Sequence, residues 1–295
     1  MRTSGELPIE YDTLGNPGGP AIVLIMGLGM QLTSWPEPFC QALADAGFRV
    51  VRFDNRDSGL SARVLGRKQS PLPLAIAASL LGLPVRCPYT LQDMAHDAIR
   101  VMDALQIDRA HMVGASMGGM IAQVLAAKFP QRVLSLTSIM SSSGNRRVSQ
   151  PSAKAQRALL SRPKNPRDPA SVVEHLIQVF GVIGSPAYPE HPATLRQRIA
   201  FGVHRAYDPA GTKRQLLAVI ASGDRRKLLH TIKAPTLVIH GAADPLVPLA
   251  AGRDTAANIT GATLQVIEGM GHDLPSALLP RLAALIVAFL QKTSN

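Results

Sequence analysis

Short apolar runs separated by amphipathic stretches constrain this chain more than any other feature. Ala21–Met26 reads AIVLIM, an uninterrupted apolar hexamer that suits a strand buried on both faces. Arg49–Phe53, Ala110–Val113, Val133–Met140, Thr236–His240 and Thr263–Ile267 read as further strands, and Pro8–Thr13 adds an antiparallel edge strand. Between them, periodic patterns predict helices over Pro38–Ala46, Leu91–Leu105, Met117–Phe129, Ala250–Asn258 and Leu278–Gln291. Thr90-Leu-Gln-Asp93 has the Thr-x-x-acid form of a helix start, so Thr90 is the predicted cap. Strands alternating with helices predict an α/β fold, a mostly parallel central sheet flanked by helices. A chain of 295 residues can bury a substantial core in that form.

The alternation breaks between Met140 and Thr236. Prolines from Pro151 to Pro209 punctuate helical stretches there, and no strand pattern appears. A helical cap is therefore predicted over 145–233, inserted before the penultimate strand, with 1–144 and 234–295 forming the core. A second insertion, 64–89, contains LPLAIAASLLGLPV at 72–85. It is too short and too proline-rich to span a bilayer. It reads as packing surface beneath the cap, or alternatively as an apolar entrance or a contact for a lipid-like substrate. No uncharged apolar run reaches the roughly 20 residues of a membrane span.

The net charge of +11 raises the question of nucleic acid. All of the excess lies between Ser141 and Pro235, where 16 Lys+Arg face 5 Asp+Glu; the remaining residues carry 15 of each sign. Aromatics for base stacking are sparse in that segment, and no helix-turn-helix, zinc-finger or RNP-like pattern accompanies the charge. A solvated basic surface is the preferred reading, attraction of an acidic substrate or surface the next, and nucleic acid is disfavoured. Cys40 and Cys87 do not make a disulfide framework. Glu6, Glu10 and Asp12 precede the first apolar run, unlike the basic-then-apolar order of a signal peptide. The expectation is a reduced, cytoplasmic protein.

Two glycine-containing motifs could carry chemistry. Gly27-Leu-Gly29 follows a strand, with Asp54 ending the next, but Leu32 stands where a dinucleotide fingerprint needs Gly or Ala, and Thr33-Ser-Trp-Pro36 interrupts the helix that should follow. Gly114-Ala-Ser116-Met-Gly118 lies between a predicted strand and a predicted helix. A serine on such a turn presents its hydroxyl at the strand's C-terminal end, and the glycines let the backbone turn without collision. Serine needs a base to take its proton, and the base needs a carboxylate to orient it. Asp244 and His272 each follow a later strand, in the order Ser, Asp, His that this architecture requires. Asp273 and Asp224 are rival acids, neither placed after the penultimate strand, and His240 reads as structural. No metal site is suggested, since there is neither His-Glu-x-x-His nor paired-cysteine spacing.

These residues resemble the α/β-hydrolase superfamily, and within it the aclacinomycin methylesterase-like serine esterases. The likeness rests on Met26-Gly-Leu-Gly29 with Trp35-Pro36, Arg52-Phe-Asp-Asn-Arg-Asp-Ser-Gly59, Tyr89-Thr-Leu-Gln-Asp-Met94, Gly114-Ala-Ser-Met-Gly-Gly-Met-Ile-Ala-Gln123 and the motifs around Asp244 and His272. Met26-Gly27 stands where many relatives have His-Gly. The resemblance implies the α/β-hydrolase fold and an oxyanion hole made by the backbone N–H groups of Leu28 and Met117. It also implies an acyl-enzyme mechanism that needs no cofactor. Arg52–Gly59 is expected to brace the Gly27 turn, with Asp54 and Arg56 in supporting roles. The expected function is hydrolysis of a small carboxylic ester. Carbon–carbon bond hydrolase, enol-lactonase and cofactor-free perhydrolase chemistries are the alternatives on the same triad. Met26, Met30, Met117 and Met120 read mainly as core residues, and they also suit an adaptable apolar pocket for an acyl or ring system.

Overall fold

A computed structural model of the chain describes residues 1–293. Seven strands form one sheet: β1 (Tyr11–Gly15), β2 (Ala21–Ile25), β3 (Arg49–Phe53), β4 (Ala110–Ala115), β5 (Val133–Ile139), β6 (Thr236–Gly241) and β7 (Thr263–Ile267). Their spatial order is β1-β3-β2-β4-β5-β6-β7, and only β1 runs antiparallel, against β3. The edge strand begins later than Pro8–Thr13. Pro8 has no N–H for a ladder, and its carbonyl instead accepts from Ala62, while Ile9 O accepts from Thr3.

The strands alternate between two cores. Val23 and Ile25 of β2, with Val51, Phe53 and Met112, pack under α3 (Leu91–Ala104) and α4 (Met117–Lys128). Ile22, Leu24, Val50, Val113 and Ile139 face α1 (Glu37–Asp45) and α11 (Leu279–Thr293) on the other side. Burial on both faces explains the continuous apolar run of β2. Thr90 caps α3 as predicted: its side chain accepts from Asp93 N–H while the Asp93 carboxylate accepts from Thr90 N–H. The apolar stretch Ser276–Thr293 is long enough by composition to suit a membrane. In this fold its helix packs on α1 and buries Leu282, Ala283 and Ile286 in the core.

Between β5 and β6 the chain forms only helices: α5 (Ala153–Leu160), α6 (Pro169–Ile183), α7 (Pro192–Arg205), α8 (Pro209–Ser222) and the short α9 (Arg226–Leu229). This is the helical insertion expected before the penultimate strand. The prolines at 169, 192 and 209 each sit in the first turn of a helix, where a missing N–H costs nothing. The earlier insertion folds as α2 (Leu72–Leu80), which packs on α8. Packing beneath the cap describes one face of it only, because Leu74, Leu80, Leu81 and Leu83 remain exposed. The remaining core helix, α10 (Leu249–Ala257), lies beside β6.

His111 of β4 is fully buried, with Nδ1 2.8 Å from the Ser135 hydroxyl, and burial pulls its imidazole from 6.5 down to about 4. The folded protein keeps it neutral where the unfolded chain would take up a proton. Its contribution is therefore complete above pH 6.5 and lost as pH falls from 6.5 to 4, by up to about 3 kcal/mol. In urea unfolding, His111→Gln is expected to lose less stability than the parent across that interval. Equal losses would refute the assignment.

Candidate active site

Ser116 follows β4 and caps α4 with φ 55° and ψ −120°. A non-glycine residue in that region costs about 1–3 kcal/mol and persists only where its surroundings hold it. Here Ser116 N–H donates to Ile139 O on β5, and Ser116 O accepts from Met120 N–H and the Ser141 hydroxyl. The flanking glycines are required by space. A Cβ at Gly114 would lie 2.2 Å from Gly118 O, and one at Gly118 would lie 1.9 Å from Ile25 O. Without side chains there, α4 can start directly against β2 and β4.

The imidazole of His272 lies in the loop after β7, with Nε2 3.0 Å from Ser116 Oγ and Nδ1 2.7 Å from Asp244 Oδ2. Asp244 follows β6, and its Oδ1 accepts from the N–H groups of Leu246 and Val247. That leaves Oδ2 facing the histidine. The carboxylate is fully buried and the imidazole nearly so. The structure thus brings Ser116, Asp244 and His272 together at the C-terminal edge of the sheet, where open α/β sheets place ligands. The rival acids point elsewhere: Asp273 accepts from the Ser185 hydroxyl, and burial raises its carboxyl, while Asp224 pairs with Arg226 at the surface. His240 donates from Nε2 to Val247 O, and burial lowers its imidazole; it supports the Asp244 loop from beneath.

The Gly27–Gly29 turn lies beside the serine. A Cβ on Gly27 would come 3.2 Å from Ser116 Cβ and 3.7 Å from Oγ. Leu28 follows in that turn, which Met30 N–H closes on Gly27 O. Met117 is the first residue of α4, where N–H groups have no partner within the helix. The expected bracing is present. Asp54 accepts from Leu32 N–H, Asn55 donates to Met26 O, and the Ser58 hydroxyl donates to Met30 O. Arg56 turns away to a buried two-point pair with Asp97. Met26, Met117 and Met120 are buried around the serine turn.

Sequence reasoning missed the part played by the cap. Gln215 of α8 is fully buried; its Oε1 accepts from Gly29 N–H and its Nε2 donates to Arg56 O, both at 2.8 Å. Gln31 donates to Gly202 O and Ala206 O, and Arg205 donates to Gln31 Oε1 and Asp54 Oδ2. Arg214 makes a two-point pair with Asp57 at 2.7 and 2.8 Å. On the opposite side, His272 N–H donates to Ile183 O at the end of α6, and Gly271 N–H to the Ser185 hydroxyl. The cap therefore holds both the Gly29 turn and the histidine loop. No local motif marks Gln215, because its partners lie far away along the chain.

The cap arginines closest to the core are engaged in these contacts. Arg205 and Arg214 take the core carboxylates Asp54 and Asp57. Arg225 is buried against Ser142 O and Gly223 O, where desolvation lowers it to about 10. Arg196, Arg198 and Arg226 pair with cap acids.

Residues 20–275 match the family model described as alpha/beta hydrolase fold. The rhodomycin D methylesterase DauP of Streptomyces sp. (strain C5) is 29% identical over 98% of this chain and 96% of its own. The 3-oxoadipate enol-lactonase 2 of Acinetobacter baylyi is 27% identical over 90% and 87%. Among solved structures, the enol-lactonase from Burkholderia xenovorans LB400 superimposes with a TM-score of 0.73 and 25% identity, covering 97% of each chain. Seven strands in this order, the insertion before β6 and the match from residue 20 to 275 lead to one assignment: the chain belongs to the α/β-hydrolase family.

Proposed function

We propose that this protein is a serine hydrolase whose preferred substrate is a small lactone-type ester. The observation that carries the reading is the continuous chain Asp244–His272–Ser116, at 2.7 and 3.0 Å, ending on a serine in a strained turn beside Gly27. Ser116 Oγ attacks the ester carbonyl as His272 Nε2 takes its proton, while the Asp244 carboxylate holds the ring by Nδ1–H. The N–H groups of Leu28 and Met117 receive the tetrahedral oxygen; each such donor is typically worth about 100-fold or more. The carbon–oxygen bond of the ring then breaks, and His272 returns its proton to the departing oxygen. Water activated by the same imidazole releases the acid from Ser116. Ring opening consumes one water and yields one hydroxy or keto acid.

The preference for a lactone over an open-chain ester revises the first expectation. It is supported by similarity to two enol-lactonases, one at 25% identity over 97% of both chains. Met117 and His272 are buried beside a partly exposed Ser116. A lactone keeps its leaving group tethered in the acyl-enzyme, so no alcohol has to depart before deacylation. The second reading, a methylesterase of the aclacinomycin type, is supported by 29% identity to a rhodomycin D methylesterase over 98% of the chain.

A panel of methyl esters, p-nitrophenyl esters, an enol-lactone and a vinylogous diketone separates the readings. The expected result is a kcat/KM for the enol-lactone at least about tenfold above the others. Fastest turnover of a methyl ester would favour the second reading, and of the diketone would assign carbon–carbon cleavage.

A further inference from the structure

The helix α2 buries the wrong residues for a core helix. Its buried positions are the small Ala75 and Ser79, one turn apart, which rest toward α8. Its large apolar side chains point outward: Leu74 is 63% exposed and Leu80 67%. A helix that only covers the core does the reverse. Gly82, with φ +70°, ends α2 through the bonds Gly82 N–H to Ser79 O and Leu83 N–H to Ala78 O. This closed turn presents Leu81 and Leu83 to solvent beside Leu80. Among the described residues, most exposed large apolar side chains fall between Leu60 and Leu83, a concentration that marks an interaction surface.

The segment that carries this patch holds charge of one sign only. No Asp or Glu occurs from Ser58 to Gln92, while Arg67, Lys68 and Arg86 are exposed. Ser70 N–H donates to Arg86 O, so the two basic segments lie side by side at the base of the α2 protrusion. Across the patch, Arg146 reaches Ser79 from the cap's first segment. The result is a leucine-bearing helix and turn with a basic collar.

We propose that this protrusion docks the protein on anionic lipid bilayers. Leu74, Leu80, Leu81 and Leu83 enter the headgroup and acyl boundary, and Arg67, Lys68 and Arg86 meet the phosphates. Apolar burial and attraction to anionic headgroups add at such a surface. A second copy of this chain fits less well. A two-fold contact through the same patch would set one basic collar against another, with no carboxylate in the segment to offset them. α2 rests on α8, whose Gln215 holds the Gly29 turn, so docking would occur one helix from the reacting serine.

The test is co-sedimentation of the full chain with phosphatidylcholine vesicles, with and without phosphatidylglycerol. Binding is expected on the anionic vesicles and at least about tenfold weaker on the neutral ones. Leu80→Ser/Leu81→Ser leaves the net charge at +11 and is expected to weaken binding about tenfold or more, with hydrolysis of a water-soluble ester unchanged. Separately, Leu81→Trp should show a blue shift of its emission on anionic vesicles, against the buried Trp35 as background. Undiminished binding of the serine variant, with no blue shift, would assign the attraction to net charge alone and overturn the proposal. So would absence of binding to either vesicle. Concentration-dependent dimers that the serine variant abolishes, without vesicle binding, would assign the patch to a second copy and overturn it as well.

Discussion

Ser116→Ala is expected to lower kcat on a p-nitrophenyl ester by about four to six orders of magnitude while leaving the fold intact. The substitution removes only Oγ, which among the described residues is hydrogen-bonded to His272 Nε2 at 3.0 Å. The backbone bonds that hold the turn, from Ser116 N–H to Ile139 O and from Met120 N–H to Ser116 O, do not involve the side chain. A circular dichroism spectrum and an unfolding midpoint close to the parent's are therefore part of the expected result. A fluorophosphonate should label the parent at Ser116 and leave the variant unlabelled. Turnover retained in a folded Ser116→Ala protein would remove the proposed nucleophile.

Asp57→Ala is expected to destabilise the protein by about 3–5 kcal/mol in urea unfolding. Asp57 is fully buried, and its two oxygens receive both arms of Arg214. Oδ1 also accepts from Val64 N–H. Removing the carboxylate leaves a guanidinium facing a nearly dry interface and a backbone donor without its partner. Asp208 lies 3.6 Å from Arg214 and recovers part of the loss. Asp57→Leu combined with Arg214→Met is expected to cost less than Asp57→Ala alone, because no unpaired charge stays buried. If the double variant proved the weaker protein, the pair would be contributing net stability rather than specifying how the cap seats. Since α8 also carries Gln215 against the Gly29 turn, the single variant should lose activity along with stability.

Much of the site was readable in the chain because its parts are local. The turn at Ser116 is a strand, a tight bend and a helix within a few residues, and each element has its own signature. Asp244 and His272 each follow a strand whose apolar pattern is unmistakable, and chain order did the rest. The capping box at Thr90 and Asp93 likewise lies within four consecutive residues. The edge strand starts later than its local pattern predicts because a competing partner intervenes: Ala62 N–H donates to Pro8 O, and pairing with β3 starts only at Tyr11. The apolar content of the α2 insertion suits packing surface, an apolar entrance or a lipid contact alike. Content alone does not tell which side of a helix is covered, and here the covered side holds Ala75 and Ser79.

The charge shows where sequence stops. Its concentration between Ser141 and Pro235 followed from counting, as did the neutrality of everything else. What the arginines do did not follow. Arg214 finds Asp57 and Arg205 finds Asp54 across most of the insertion, and Arg225 is buried among carbonyls. The sequence by itself determined the sheet, the insertion point and the order of Ser116, Asp244 and His272, because these are properties of short stretches and their succession. Only the tertiary structure decided that the cap grips the Gly29 turn through Gln215 and turns its inner arginines on core carboxylates. Hydrogen bonds and ion pairs depend on separation in space and on exclusion of water, and neither quantity is carried by position along the chain.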